Sequence, residues 1–227
     1  MSLFSKMTFL PSLGYNLLRN RWSTWNWFDR IDEQLVIGAL PFFGPVTHQL
    51  YHSERIRAVV SMNEDFELFL YVTNHRHWNK LNVPFLQLRT SDIFHAPTLD
   101  QLSIGVNFIL EQQKQLREHQ DSNDCLALIT KNEMLWPIRN QGKTLTIEGR
   151  DDFDGYNLPS IYVHCKAGRT RSATLVACYL IERYAHTPNE AIEELVRKRP
   201  QILLQKRQLE AIQNFYEYRQ RNVSAFS

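Results

Sequence analysis

A cysteine and an arginine stand six positions apart in the segment HCKAGRTRS, residues 164–172. The apolar run at 161–163 favours a strand before this segment, and apolar residues at helical spacing favour a helix after it. A strand-to-helix turn presents backbone N–H groups and the positive end of a helix dipole, which together bind an anion. The cations of the segment favour the thiolate form of Cys165, and a thiolate is the nucleophile of cysteine chemistry. The segment is therefore predicted to bind a phosphate group and to attack it through sulfur.

The neighbours of the cysteine each suit a step of that chemistry. Arg171 is predicted to bind two phosphate oxygens with its planar fork of donors and to stabilise the transition state. Ser172 is predicted to donate a hydrogen bond to the sulfur of Cys165 and so to help the thiolate leave when a phosphocysteine is hydrolysed. His164 is interpreted as a scaffold that bonds to the loop backbone, with direct proton transfer as the less favoured alternative. Gly168 permits the tight curl that such a loop needs.

The phosphate-binding set is predicted to be the whole loop, namely Lys166, Ala167, Gly168, Arg169, Thr170 and Arg171. Within it, Lys166 and Arg169 are two cations beyond those that a single phosphate requires, which favours a more negatively charged head group and hence a phospholipid. The alternative is that these two side chains simply face solvent, as exposed Lys and Arg usually do. A purely structural cysteine is disfavoured because burying three cations beside a thiol costs free energy without a gain.

The loop and several other segments together resemble the cysteine-dependent phosphatases, and within them the mitochondrial dual-specificity-type phosphatases that act on phosphatidylglycerophosphate. The similar segments are WFDRID at 27–32, IGALP at 37–41, MNEDFE at 62–67, LQLRTSD at 86–92 and the loop with its helix at 164–181. The similarity covers roughly residues 15–117 and 158–219. One departure is Asp65-Phe66, where the family has Glu-Tyr, so that the charge is kept and a hydroxyl is lost.

The resemblance implies an α/β fold with one cysteine-phosphatase domain, in which helices flank a central and mostly parallel sheet. It implies that Asp92 protonates the leaving group, although a helix cap is the structural alternative for this residue. Glu64 and Asp65 either support the site, by holding Arg171 or orienting the substrate, or form a solvated acidic turn; the sequence leaves both open.

The implied reaction is the dephosphorylation of phosphatidylglycerophosphate through a phosphocysteine intermediate, without a cofactor. The eight histidines show no spacing typical of a metal site. A protein tyrosine or serine/threonine phosphatase and a phosphoinositide phosphatase remain alternatives, and a phosphate-binding pseudophosphatase is the alternative without catalysis. The expected partner is an anionic phospholipid at a membrane to which the protein binds peripherally. A net charge of +2 gives no reason to expect nucleic acid, and a monomer is expected.

The chain of 227 residues, 43% of them apolar, is long enough for one such domain. The phosphatase domain is expected at residues 29–221, with an insertion at about 118–157 that the family lacks. Residues 1–28 carry basic and aromatic side chains without an acid, which is typical of a targeting or membrane-interface segment. Three cysteines argue for a reducing compartment. The resemblance places the protein in the mitochondrion, at the matrix side of the inner membrane.

Hydrophobic periodicity predicts strands at 34–39, 57–61, 84–88 and 160–163, and helices at 99–116, 169–184, 188–199 and 206–219. The last two helices are expected to bury their apolar residues Ile192, Leu195, Val196, Leu209, Ile212, Phe215 and Tyr216. The segment HRH at 75–77 is interpreted as a surface turn, and Trp25 to Phe28 are expected to pack on the domain.

Overall fold

The computed structural model describes residues 25–69, 72–91, 95–121 and 158–224. The strands are β1 (Phe28–Asp32), β2 (Leu35–Gly38), β3 (Ile56–Ser61), β4 (Phe85–Gln87) and β5 (Ser160–His164). The α-helices are α1 (Pro45–His52), α2 (His75–Lys80), α3 (Leu99–Asp121), α4 (Arg171–Tyr184), α5 (Pro188–Lys198) and α6 (Lys206–Ser224). A short 3-10 helix spans Asp65–Leu68.

The strands form a single sheet in the order β1-β2-β5-β3-β4, with β1 antiparallel to β2 and the other pairs parallel. In a parallel sheet the carboxyl ends of the strands meet at one edge, where ligands bind in α/β proteins. The central strand β5 is buried along its whole length. The loop that follows β5 therefore emerges in the middle of this edge, with the loops after β2, β3 and β4 beside it.

Helices cover both faces of the sheet. Helix α4 packs between α3, α5 and α6 on one face, and its residues from Arg171 to Ile181 are all buried. On the other face, side chains of α1 and α2 such as Leu50 and Trp78 pack against Val36, Val59 and other residues of the sheet. Because a fully buried aliphatic or aromatic side chain contributes about 1.5–3 kcal/mol, these two cores hold the edge of the sheet in a fixed shape.

The fold class predicted from the resemblance is confirmed, and each predicted strand and helix is present within a few residues of its expected bounds. Four elements were not predicted, namely β1, α1, α2 and the 3-10 helix. The interpretation of residues 75–77 as a turn is wrong, because they begin α2 behind the capping side chain of Asn74. Val196 and Leu209 are exposed rather than buried, since each lies on the outer side of its helix.

The predicted domain bounds fall partly outside the described residues. Trp27 and Phe28 are buried as expected, whereas residues 1–24 lie outside the described part of the chain. Helix α3 continues to Asp121, which is inside the stretch expected to be inserted, and residues 122–157 also lie outside. Among the described residues, none of the helices is both long and apolar enough to cross a bilayer.

Candidate active site

The loop between β5 and α4 curls tightly against the end of β2. Gly168 has a φ of 65°, and a Cβ placed on it would lie 2.4 Å from the carbonyl carbon of Gly38. The loop also accepts a hydrogen bond at the carbonyl of Lys166 from the backbone N–H of Leu40. Only glycine meets both the left-handed conformation and this close approach. The expectation that Gly168 permits the curl agrees with this geometry.

Cys165 and Ser172 lie together at the base of the loop. The Cys165 Sγ is 3.2 Å from the Ser172 Oγ, within hydrogen-bond distance for sulfur. Both residues are buried, Cys165 before the loop and Ser172 in the first turn of α4. The structure thus brings the predicted nucleophile beside the predicted hydroxyl donor, at the amino end of a 14-residue helix.

Arg171 is fully buried and is held by a carboxylate that the sequence analysis did not single out. Its Nη1 and Nη2 donate to the two carboxylate oxygens of Glu67 at 2.7 and 2.9 Å. Nη1 also donates to the carbonyl of Thr90 at 2.9 Å. A bidentate ion pair in a dry interior fixes the plane of the guanidinium, because any rotation would leave a buried charge without its partner.

The expectation that Glu64 or Asp65 holds Arg171 is therefore corrected, since Glu67 makes this contact. The exposed side chain of Asp65 instead pairs with Arg89 at 2.9 Å. Glu64 is the N-cap residue of the 3-10 helix, where its carbonyl accepts a hydrogen bond from the Glu67 N–H and its own N–H donates to the Glu67 carboxylate. The spacing of Glu64 and Glu67, three residues apart as in a capping box, predicts only that Glu67 reaches back to the Glu64 backbone, so no local signal pointed from Glu67 to Arg171. Whether Glu64 or Asp65 orients a substrate stays a prediction.

His164 is buried, and its ring stacks on Tyr162 with 5.4 Å between centroids. Burial, reinforced by the charge of Arg171, lowers the pKa of His164 from 6.5 to about 3, and the Cys165 backbone opposes the shift only in part. The ring nitrogens make no hydrogen bond of ordinary geometry within the described part of the chain, and the interaction with the Cys165 backbone is the one that links the ring to the loop. A ring that is neutral near pH 7 suits a scaffold rather than a proton donor.

The two additional cations of the loop are not free surface side chains. Lys166 is buried at the site. Arg169 donates from Nε to the carbonyl of Gln201 at 2.9 Å, and its guanidinium lies 4.7 Å from the ring centre of Trp25. The alternative in which both merely face solvent is therefore wrong for Lys166, and Arg169 links the loop to two other segments.

Asp92, the predicted general acid, lies outside the described residues, as do its neighbours 93 and 94. The chain on both sides is described. The carbonyl of Thr90 accepts a hydrogen bond from Arg171, and the carbonyl of His95 accepts one from Gln208 at 3.1 Å. The described chain on the amino-terminal side of Asp92 therefore lies at the site, where Thr90 contacts Arg171.

Arg199 supports the loop from behind, a role that the sequence analysis missed. Its Nε donates to the carbonyl of Gly168 at 2.7 Å and its Nη2 to the carbonyl of Ala167 at 3.2 Å. Its Nη1 pairs with the carboxylate of Asp29 at 2.5 Å. Since these carbonyls are turned outward to a buried cation, the peptide N–H groups on the opposite side of the same units are turned towards the interior of the loop. Asp29 belongs to the segment WFDRID, so this segment supports the loop through Arg199.

A cavity of about 360 Å³ lies at the opposite end of the sheet, near the carboxyl end of α4. The polar groups that face it bond to one another, because Asp32 accepts hydrogen bonds from Tyr179 and Tyr184, and Arg117 donates to Gln34. It contains none of the residues predicted for chemistry, so the loop after β5 is the candidate active site.

Comparison with known proteins agrees with this assignment. Residues 157–219, which include the loop and the helices after it, match the family "Dual specificity phosphatase, catalytic domain". The human protein "Phosphatidylglycerophosphatase and protein-tyrosine phosphatase 1" is 31% identical over 94% of this chain and 86% of its own length. The Arabidopsis thaliana protein "Phosphatidylglycerophosphate phosphatase PTPMT2" is 30% identical over 92% of this chain and 72% of its own.

Solved structures show the same relationship. The crystal structure of PTPMT1 in complex with PI(5)P has a TM-score of 0.64 at 30% identity, covering 87% of this chain and 99% of the other. A further PTPMT1 crystal structure gives a TM-score of 0.64 at 31% identity. Similarity across nearly the whole chain, in sequence and in fold, shows that this protein is a cysteine-dependent phosphatase that belongs to the family of phosphatidylglycerophosphatase and protein-tyrosine phosphatase 1.

Proposed function

We propose that the protein hydrolyses the terminal phosphomonoester of phosphatidylglycerophosphate, giving phosphatidylglycerol for cardiolipin synthesis. The observation that carries this choice of substrate is the similarity to the human and Arabidopsis thaliana enzymes, which spans more than nine tenths of this chain. The complex of PTPMT1 with PI(5)P supports the wider class, a phosphomonoester on a phospholipid.

In the first step, the Cys165 thiolate attacks the phosphorus, so that the S–P bond forms as the P–O ester bond breaks. The leaving alkoxide takes a proton from the Asp92 carboxyl. Glu67 occupies the Nη1–Nη2 edge of Arg171, so the Nε–Nη2 edge is the one from which Arg171 reaches two phosphate oxygens. The N–H groups of the loop and of the first turn of α4 stabilise the charge on the other oxygens.

In the second step, a water molecule attacks the phosphocysteine and gives up a proton to the Asp92 carboxylate. The S–P bond breaks, and the released thiolate accepts a hydrogen bond from the Ser172 hydroxyl, which lies 3.2 Å from the sulfur. Phosphate leaves, and Cys165 is again a thiolate. The cycle uses side chains, backbone and water, with no cofactor.

We also propose where in the cell the enzyme acts. We place it in the mitochondrion at the matrix side of the inner membrane, as a monomer that binds anionic bilayers peripherally. The domain at 29–221, the insertion at about 118–157 and the interface segment at 1–28 stay part of this proposal. It is supported by the family resemblance and by the basic, acid-free composition of residues 1–28.

The choice of substrate is tested by measuring phosphate release from vesicles of phosphatidylglycerophosphate, from phosphoinositide vesicles and from phosphotyrosine peptides at matched concentrations. We expect the first to react fastest. Because its phosphodiester would lie next to Lys166, Lys166→Met should slow its hydrolysis about tenfold more than that of a small aryl phosphate. The matched control is Lys114→Met, an exposed lysine on α3, which should change neither rate. A preference for peptides that is insensitive to Lys166 would overturn the lipid assignment in favour of a protein phosphatase.

The role of Asp92 is tested by Asp92→Asn. We expect a loss of about 10² or more in kcat on alkyl phosphates, whose leaving group needs a proton, and a much smaller loss on an aryl phosphate with an acidic leaving group. Equal losses on both substrates would mean that Asp92 has a structural role and that another group supplies the proton.

A further inference from the structure

Two exposed phenylalanines stand on neighbouring loops at the edge of the sheet that carries the active site. Phe43 follows β2 and is 52% exposed, and Phe69 follows the 3-10 helix and is 73% exposed. Each is preceded by a residue that packs inward, since Phe42 and Leu68 share one hydrophobic cluster. Phe42 also pairs with Val72 in an isolated bridge, which joins the two loops. Both side chains are thus held at the surface by a fixed backbone.

Leu203 is a third exposed apolar residue, and it is bonded to the loop after β5. Its backbone N–H donates to the carbonyl of Arg169 at 3.0 Å, and its side chain is 46% exposed. Its neighbours Ile202 and Leu204 pack against the main core, so that Leu203 alone of the three is turned outward. Single exposed apolar residues are ordinary, whereas Phe43 and Phe69 each follow, within three residues, a residue that bonds to the loop, namely Leu40 and Glu67, and Leu203 bonds to it directly. We call these three residues the apolar rim.

The amino-terminal segment joins the domain at the same place. The ring of Trp25 lies against the guanidinium of Arg169, and the carbonyl of Asn26 accepts a hydrogen bond from Gln201 at 3.0 Å. The 24 residues before Trp25 contain Lys6, Arg19 and Arg21 and no acid. A basic, aromatic segment therefore precedes Trp25, which contacts the same Arg169 to which Leu203 bonds.

Further cations stand around the apolar rim. Arg76 is exposed on α2, next to His77, whose ring lies 5.1 Å from that of Phe43. Lys206 begins α6 three residues after Leu203, and its side chain is also exposed. Apolar side chains that enter the interface, surrounded by cations that meet anionic headgroups, are what an anionic bilayer attracts.

We propose that the apolar rim is a bilayer-docking surface, which inserts Phe43, Phe69 and Leu203 among the headgroups of an anionic membrane. Docked in this way, the protein presents the loop at 165–171 to the membrane, so that a lipid phosphomonoester enters it without leaving the bilayer. The choice of a lipid surface rests on the proposed function. The docking proposal specifies which face of the enzyme meets the membrane.

The test is cosedimentation of the full chain with phosphatidylcholine vesicles that contain phosphatidylglycerol. Phe43→Ser, Phe69→Ser and Leu203→Ser should each lower the partition coefficient about fivefold to tenfold, and the triple variant about a hundredfold or more. Phe69→Leu keeps an apolar side chain and should stay within about twofold of the wild type. Hydrolysis of a small aryl phosphate in solution should be unchanged in all five variants, which checks the fold.

The matched control is Tyr218→Ser, because Tyr218 is 37% exposed near the far end of α6, where Arg219 pairs with Glu182 of α4. It should partition like the wild type. Serine variants of the rim that partition normally would overturn the proposal, as would an equal loss in Tyr218→Ser. Rim variants that partition normally but hydrolyse a phosphoprotein more slowly would also overturn the proposal, because that result would assign the surface to a protein partner.

These vesicles contain no phosphomonoester, so the two proposals fail separately. If the rim variants lose vesicle binding, the docking surface is supported. If the wild-type protein also fails to hydrolyse phosphatidylglycerophosphate, only the proposed substrate is rejected.

Discussion

Cys165→Ser should lower phosphate release by about 10⁴-fold or more on every substrate while leaving substrate binding intact. A serine hydroxyl has no comparably abundant ionised form near neutral pH, and the remaining donors of the loop are untouched by the change. Binding is measured by the affinity of the variant for a non-hydrolysed lipid phosphonate, and turnover by phosphate release.

Cys178 provides the control for this experiment. It is buried on α4, and burial raises the pKa of its thiol, so that it stays protonated and unreactive. Cys178→Ala should retain turnover within about threefold. Activity that survives in Cys165→Ser, or that is lost equally in Cys178→Ala, would remove the phosphocysteine from the mechanism.

Glu67→Gln should have the second largest effect, because it acts on stability and on chemistry together. The change removes the charge that compensates a fully buried guanidinium, and breaking such a pair from one side costs about 3–5 kcal/mol. A freed Arg171 would also rotate away from the plane in which its fork meets a phosphate, so we expect kcat/KM to fall by about 10². Urea unfolding and aryl phosphate hydrolysis measure the two effects.

The neighbouring ion pair between Asp65 and Arg89 is the matched comparison. Both of its side chains are well exposed, and exposed pairs contribute about 1 kcal/mol or less. Asp65→Asn should therefore leave the free energy of unfolding nearly unchanged. If Glu67→Gln were equally mild, the pair with Arg171 would not be what positions the guanidinium.

The sequence predicted the elements whose hydrophobic period is strong, and missed those that depend on distant partners. Helix α4 was found because a continuous set of apolar residues follows the loop, and the predicted parallel strands are short apolar runs between turns. Strand β1 was missed because FDRID has no clean alternation and forms an edge strand through its pairing with β2. Helix α2 was missed because its six residues are mostly polar, and its start depends on the cap that Asn74 supplies.

The same distinction holds within the site. Cys165, Arg171 and Ser172 are close in sequence, so their spacing predicted that they meet. Glu67 lies 104 residues from Arg171, and the local charge pattern offered three acids of which only one turns inward. Arg199 lies 31 residues from Gly168 and 170 from Asp29. No local sequence pattern predicts a contact that three separate elements make only in the folded chain.

The support that Arg199 gives to the loop also sets a limit on how far the chain can be shortened from its amino end. Arg199 bonds to Asn26 and Asp29, and Arg169 lies against Trp25, so the residues just after position 24 are structural parts of the catalytic apparatus. Removing residues 1–24 leaves each of these contacts in place, whereas a cut only a few residues further along would strip partners from both arginines. We therefore expect a form of the enzyme that begins at Trp25 to keep its loop in shape and one that begins a few residues later to lose it.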